Sequence, residues 1–316
     1  MYVVDVAVFP AEADVNILTS FMHDVAAVDG ERPLSDHLWL DLQRGGSPGF
    51  IAVRVADGIG TVAYGQISAA NHESSLEIVV HPRAAAGPPG VARLARDTAE
   101  TAIDAFQRAG GGELVAWVDV NPIGQALADV CTERGLVLRR QLHEMHAALP
   151  LDQHAIVTTR DFVVGDDDAA WVRVNNSAFA EHGEQGGWTV ATLALRQAEP
   201  WFDPTGFRVH EIDGRMAAFC WTKIHGLDLP ADQRHGEIYV IAVHPDFHGR
   251  GLGKQLTLAG LDSIAARGIS AATLYVDDDN APALSLYRSL GFTVHRTRRA
   301  YGGTVTSLIG STHDQP

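Results

Sequence analysis

The chain is expected to be an α/β (α+β) protein of two tandem halves, each a mixed, mostly antiparallel sheet flanked by helices. The first observation behind this is that Val80-His81-Pro82 returns 163 positions later as Val243-His244-Pro245. The second is that Cys131-Thr132-Glu133-Arg134-Gly135-Leu136 aligns, at an offset of 156, with Tyr287-Arg288-Ser289-Leu290-Gly291-Phe292. Likewise Trp117-Val118-Asp119-Val120-Asn121-Pro122 resembles Tyr275-Val276-Asp277 with Asn280-Ala281-Pro282. The third is that strand-like and helix-like stretches follow one another in the same order in both halves, and such self-similarity marks a duplicated folding unit. A length of 316 residues suits two ordinary domains. The boundary is expected near Pro150 to His154, giving domains 1–150 and 151–316.

In the first half, Val15, Leu18, Phe21, Met22 and Val25 recur at three- and four-residue spacing, which predicts a helix over 12–28. A short helix follows from Ser35 to Leu42, with Ser35 as N-cap. Residues 50–55 and 60–67 read as strands joined at Asp57-Gly58, and 75–82 as a strand ended by Pro82. A helix over 91–108, a strand over 113–120, a helix over 123–134 and closing strands after Gly135 complete the half. In the second half the pattern predicts a helix over 163–179 and strands over 207–211 and 215–222. The strand 237–243, a helix over 252–267, the strand 272–276, a helix over 281–290 and a strand after Phe292 follow.

Composition narrows the function classes. With 46% hydrophobic residues the chain can build cores, and no apolar run approaches the ~20 residues of a membrane span. The first ten residues lack a basic region and a cleavage-like apolar stretch, so a cytoplasmic protein is expected. Cys131 and Cys220 make neither a disulfide framework nor a metal quartet. A formal net charge of -15 argues against nucleic acid as a partner.

Chemistry concentrates in the second half. The β-branched run Glu237 to Val243 ends at His244-Pro245 and is followed by Gly249, Gly251 and Gly253, then by an apolar helical pattern from Lys254. A strand, a glycine-rich turn and a helix N-terminus together present free backbone N–H groups and a positive dipole end, which suits a phosphate or pyrophosphate. The spacing is neither a Walker loop nor a dinucleotide fingerprint. In the first half the corresponding loop, Pro82 to Gly90, carries Pro88 and Pro89, and each proline removes a backbone donor. That half therefore reads as non-catalytic. His143-Glu144-Met145-His146 is not His-Glu-x-x-His, and on a strand its histidines point to opposite faces, so no metal is expected there.

The loop resembles the acyl-CoA loop of the GNAT superfamily of N-acetyltransferases, with Val243, Pro245, Gly251 and Gly253 matching and His248 in place of the usual Gln or Arg. The resemblance implies two tandem GNAT domains, with acetyl-CoA as co-substrate and no metal. It implies that the end of the strand splays and that CoA meets Ile241, Ala242, Val243, His248, Gly249, Arg250, Gly251, Leu252, Gly253 and Lys254. CoA would also meet Asn280, Ala281, Pro282, Ala283, Leu284 and Ser285, although Asn280 reads equally as a helix N-cap. Glu237 is the implied base and Tyr287, within Tyr-x-x-x-Gly-Phe, the implied acid.

With Arg173 to Trp188, Trp201-Phe202-Asp203-Pro204 and Phe219 to His225, the chain is similar to the mycothiol synthase family of actinobacterial tandem GNAT enzymes. The resemblance implies acetylation of the cysteine amine of desacetylmycothiol, held by Asp36, Glu184, Lys223, Glu237 and Tyr275. Asp36 stands where that family has a glutamate. In the first half, Val79 and Val80 would meet a second CoA, which the loop prolines put in question. A monomer is expected. Two other readings stay open: a GNAT enzyme for another amine, and a CoA-binding sensor without turnover.

Overall fold

The computed structural model describes residues 2–7, 12–29, 33–70, 73–84, 87–180, 185–227 and 234–307. Its contacts gather into two compact units. One comprises Met1–Gln141 with Thr297–Pro316, the other Leu142–Arg296.

The first unit runs β1 (Val3–Ala7), α1 (Glu12–Asp29), α2 (Asp36–Gln43), β2 (Ile51–Ala56), β3 (Thr61–Ala70), β4 (Glu73–Val80), α3 (Pro88–Arg108), β5 (Gly112–Asp119), α4 (Pro122–Glu133) and the opening of β6 (Val137–Ala148). Strands β1 to β4 pair antiparallel in sequence order, and β4 pairs parallel with β5. The outer side of β5 is covered by residues 298–305 from the end of the chain, antiparallel, with Arg298 opposite Asp119 and Val305 opposite Gly112. The helical period of α1 places Leu18, Phe21, Met22 and Val25 in one core with Leu38, Leu42, Phe50 and Tyr64. On the other side of the sheet, Leu94, Ala99, Ala102 and Ile103 of α3 join Leu127 and Val130 of α4 in a second core. Each buried large aliphatic side chain there contributes roughly 1.5–3 kcal/mol.

The second unit continues from β6 through β7 (Arg160–Asp161), α5 (Asp168–Ala178), α6 (Val190–Gln197), β8 (Phe207–Ile212), β9 (Arg215–His225), β10 (His235–Val243), α7 (Leu252–Ala265), β11 (Ala271–Asp277) and α8 (Ala281–Ser289) to β12 (Thr293–Val305). Its strands lie in the order β6, β11, β10, β9, β8, β7. Only the β10/β11 pair is parallel among the pairs resolved there. Helices α7 and α8 bury Leu256, Leu261, Ile264, Leu284 and Tyr287 against one face. An aromatic core of Trp171, Trp188, Phe207, Phe219 and Trp221 fills the other.

Several sequence expectations shift in detail. Ser35 precedes α2, but its side chain makes no cap bond; its N–H donates instead to Glu77 Oε2 at 2.9 Å. The helix expected from Val163 begins only at Asp168, because the Asp167 carboxylate accepts from Val163 N–H at 2.8 Å and from Arg160, turning 163–167 into a loop. Strand β1 and helix α6 carry too short a pattern to be predicted; α6 is secured by a capping box between Thr189 and Thr192. Cys131 and Cys220 are free and buried, and burial pushes the Cys131 thiol up to about 12 and that of Cys220 higher still. Among the described residues no helix is long and apolar enough to cross a membrane.

Candidate active site

Strand β10 pairs with β11 at only three positions, Gly236 to Ile238 opposite Ala272 to Leu274. Beyond Ile238 it stays on β9 alone, while β11 runs on to Asp277 against β6. The two strands therefore diverge, as the resemblance implies. The β9/β10 register slips where they part: Ile238 faces Thr222 and Val240 faces Trp221, leaving Tyr239 as a bulge. Because His244 N–H donates to Ala217 O at 2.9 Å, alternation along the antiparallel pair turns the backbone groups of Ile241 and Val243 toward the opening. The Val243 carbonyl is engaged by His248 Nε2 at 3.0 Å. His248, at the position of the family's Gln or Arg, thus ties the loop back to the strand end.

The loop leads into α7 through Gly249 and Gly251, with φ of 76° and 72°, the left-handed region that L side chains rarely adopt. A Cβ at Gly249, Gly251 or Gly253 would meet nothing within 4 Å. Those residues are thus glycine for backbone conformation at the first two positions, and all three leave open space before the helix N-terminus. No side chain caps that terminus, so the first N–H groups of α7 suit an anion. Arg250 lies with its guanidinium 5.2 Å from the Phe247 ring centroid, and Lys254 is half-buried on the first turn.

Across the ladder, Lys223 faces Glu237, and Glu237 faces Thr273 of β11, so these three share one side of the sheet. Tyr275 lies two residues beyond Thr273 on that side and is exposed. The sheet thus collects Lys223, Glu237 and Tyr275 on one face, while Asp36 belongs to the first unit and Glu184 lies outside the described residues. Lys223 Nζ sits 4.5 Å from the ring centroid of Trp201 and 5.2 Å from that of Tyr239. The bulge residue therefore forms one wall of a cation–π cage. Glu237 is buried, and its Oε2 lies 2.6 Å from His225 Nε2.

Tyr287 lies in the core on the α7/α8 side, with its ring centroid 6.0 Å from that of Phe292. Burial, helped by the nearby Cys220, pushes its phenol well above the ordinary value, so it holds its proton throughout the working range. Asn280 does cap α8: its Oδ1 accepts from Ala283 N–H at 3.2 Å, which leaves Nδ2 as its donor toward a ligand. On α8, Ala281, Pro282 and Ser285 are exposed, whereas Leu284 is buried and Ala283 packs on the core. In α5, Asn176 grips Trp188 through both amide atoms, at 2.8 and 3.0 Å, and so ties that residue to the helix.

In the first unit β4 also pairs with β5 at three positions, Ser74 to Leu76, and then diverges. Its end repeats the His-Pro turn: His81 Nδ1 accepts from Arg83 N–H as His244 Nδ1 accepts from Asp246 N–H. Taking Leu76 and Ile238 as the last paired residues, Ser75 stands at the position of Glu237, and β4 has no bulge against β3. Val79 is buried in the α1/α2 core and Val80 packs on the opposite one.

His143 and His146 part as expected. His143 Nε2 lies 2.8 Å from Asp278 Oδ1, while His146 joins Glu144 and His295 in the one trio of the described residues that could hold a metal ion. Two features compete with a metal there. Arg296 Nε donates to Glu144 Oε2 at 3.1 Å, and the His146 and His295 rings stack at 4.1 Å and 12°, so their nitrogen lone pairs run side by side.

The profile of the "Acetyltransferase (GNAT) family" matches residues 171–292. The chain is 38% identical over 309 residues to a mycothiol acetyltransferase of Frankia alni, covering 92% of this chain and 91% of that one. It is 38% identical over 304 residues to the mycothiol acetyltransferase of Streptomyces avermitilis, covering 93% and 92%. Among solved structures, a GCN5-related N-acetyltransferase from Sphaerobacter thermophilus superposes with a TM-score of 0.67 at 18% identity, covering 96% of both chains. A tandem GNAT protein from the clavulanic acid biosynthesis pathway does so with a TM-score of 0.61 at 16% identity, covering 96% and 99%. At such identities the structures speak for the fold.

Proposed function

This chain belongs to the mycothiol acetyltransferase family of GNAT acetyl-CoA-dependent N-acetyltransferases, and we propose that it acetylates the cysteine amine of desacetylmycothiol with Glu237 as base and Tyr287 as acid. The observation that carries the mechanism is the parting of β10 from β11 after Ile238, one residue beyond Glu237. It sets a buried carboxylate beside an opening that runs to the glycine loop.

Acetyl-CoA would lie along that opening, its pyrophosphate on the N–H groups of the glycine loop and α7, its arm beside Asn280 Nδ2. A backbone N–H turned into the opening, from Ile241 or Val243, can polarise the thioester carbonyl as negative charge develops on its oxygen. The amine arrives as an ammonium with three N–H bonds and leaves as an amide with one. Of the two protons lost, one ends on the CoA sulfur and one passes to water. Glu237 takes the proton that frees the amine lone pair for attack on the carbonyl carbon. As the carbon–sulfur bond breaks, Tyr287 supplies the proton for the thiolate, and the second proton released by the amine restores the phenol. Lys223, Tyr275, Glu184 and Asp36 suit the hydroxyl-rich sugar and cyclitol.

The first unit, with Ser75 where the second has Glu237 and two loop prolines, supports a non-catalytic role. The test is acetyl-CoA turnover on desacetylmycothiol beside aminoglycosides and N-terminal peptides, with product followed by mass because the substrate carries its own thiol. Turnover confined to desacetylmycothiol is expected. CoA binding without turnover on any amine would favour the sensor reading.

A further inference from the structure

The Glu237 carboxylate does not stand alone, and the groups behind it form an ordered stack. Its Oε2 lies 2.6 Å from Nε2 of His225, the last residue of β9. The His225 ring is stacked on His235, with centroids 4.6 Å apart and planes within 8°. The register explains this: His235 faces His225 and Glu237 faces Lys223, so these four side chains share one face of the β9/β10 ladder. Glu237 is almost closed off, whereas the His225 side chain keeps 27% of its surface exposed.

An ionised carboxylate only accepts hydrogen bonds, so when Glu237 is ionised the hydrogen of this contact belongs to His225 Nε2. That bond fixes the plane of the carboxylate and occupies one oxygen, leaving Oε1 for the amine. A base whose plane is free to rotate would present a misplaced lone pair for much of the time, and small misplacements of a catalytic group are costly.

We propose that His225 is a positioning residue for the acetyl transfer: its Nε2–H holds Glu237 through Oε2 so that Oε1 faces the amine, and the stacked His235 keeps the His225 ring in that plane. The inference rests on Glu237 being the base. Burial and the neighbouring His225 push His235 down to about 4, so it is a neutral stacking surface at working pH. The titratable and charged groups around His225 are Glu237 and His235 on β10, Lys223 on its own strand, and Arg234, which binds Leu227 O at the connection between the strands. Glu144 and His146 of β6 act on His235 from the far side.

The experiment uses the full chain with acetyl-CoA and desacetylmycothiol, comparing H225A, H225Q and E237Q. H225A should lower kcat about 10- to 100-fold with an unchanged acetyl-CoA KM, the size of losing one oriented donor in a dry site. It should also move the acid limb of the kcat/KM profile to higher pH, because a carboxylate that loses a donor to its ionised form protonates more readily. H225Q carries an amide N–H and should recover most of the rate and the original limb. A purely structural role would move the melting temperature and leave the limb in place. H225A with wild-type kcat and limb, beside an inactive E237Q, overturns the inference and spares the base. H225Q as impaired as H225A, with added imidazole restoring H225A, overturns it in favour of proton transfer through the ring. E237Q at full rate overturns both.

Discussion

Lys223 and Glu237 are directly opposed across the β9/β10 ladder, two pairs before the bulge at Tyr239. Their charged ends have different neighbours: the ammonium lies over the Trp201 and Tyr239 rings, and the carboxylate takes the His225 ring nitrogen. One pair of adjacent residues thus presents a caged cation and an oriented base on one face.

If the cage holds Lys223 for substrate hydroxyls, Lys223→Met, which keeps the stem, should raise the desacetylmycothiol KM and lower kcat/KM roughly 10- to 100-fold. That corresponds to one charged hydrogen bond of about 1.5–3 kcal/mol. The acetyl-CoA KM should stay where it is. Steady-state kinetics with each substrate varied in turn would separate the two.

Glu237→Gln keeps the size of the side chain and its partner atom for His225 but removes the base. Turnover should fall about 10²- to 10⁴-fold while acetyl-CoA affinity, read by titration calorimetry, is unchanged.

The glycines of the loop separate conformation from contact. Gly251 sits at φ 72°, so Gly251→Ala should cost roughly 1–2 kcal/mol of backbone strain or distort the turn, and acetyl-CoA affinity should drop. Gly253 is within α7, with open space where a Cβ would lie. Gly253→Ala should raise stability by about 0.5–1 kcal/mol through helix propensity while weakening acetyl-CoA binding, because the methyl enters the space before the helix. A denaturation curve and a binding isotherm on each variant check both signs.

Asn280 has a separable pair of roles. Asn280→Ala should lose the cap, about 1 kcal/mol, together with acetyl-CoA affinity. Asn280→Asp retains the accepting oxygen for Ala283 N–H but has no amide donor, so the melting temperature should return and the affinity should not.

His235 sets a pH dependence of stability. Its folded-state value, pushed down to about 4 by burial and by His225, is below the ordinary 6.5 of the unfolded chain. The unfolded state therefore takes up the proton first as pH falls. The contribution of His235 is fully present above about 6.5, is lost between there and about 4, and changes no further below. Melting temperatures from pH 8 to 4 should fall less steeply for His235→Phe, which keeps an aromatic surface on His225.

The duplicated order of elements and the strand, glycine loop and helix around Val243 were legible because each leaves a local trace: a repeated His-Pro, a β-branched run, glycines at fixed spacing. The bulge at Tyr239 and the partner of Glu237 were not. A bulge at a non-glycine residue has no composition of its own, although the halves do record it. Val80 matches Val243 at 163, while Leu76 and Ile238, the last paired residues, differ by 162. His225 carried no signal as a ligand of Glu237, since their contact depends on which residues the register sets opposite. Burial likewise separated Tyr287 from an ordinary exposed phenol only once α8 was packed. Asn280, read both as a cap and as a CoA contact, caps α8 with its Oδ1.

The last strand begins with Thr293 in one unit and closes the sheet of the other, where residues 298–305 line β5. During synthesis, residues 1–141 therefore emerge with the outer edge of β5 still bare, and Leu142–Arg296 is delivered whole before the strand that covers that edge has been translated. The half made first is the half that can close last. Release of the chain before Arg298 is made leaves β5 as an open, apolar strand edge available to a chaperone, or to the same edge on another nascent chain.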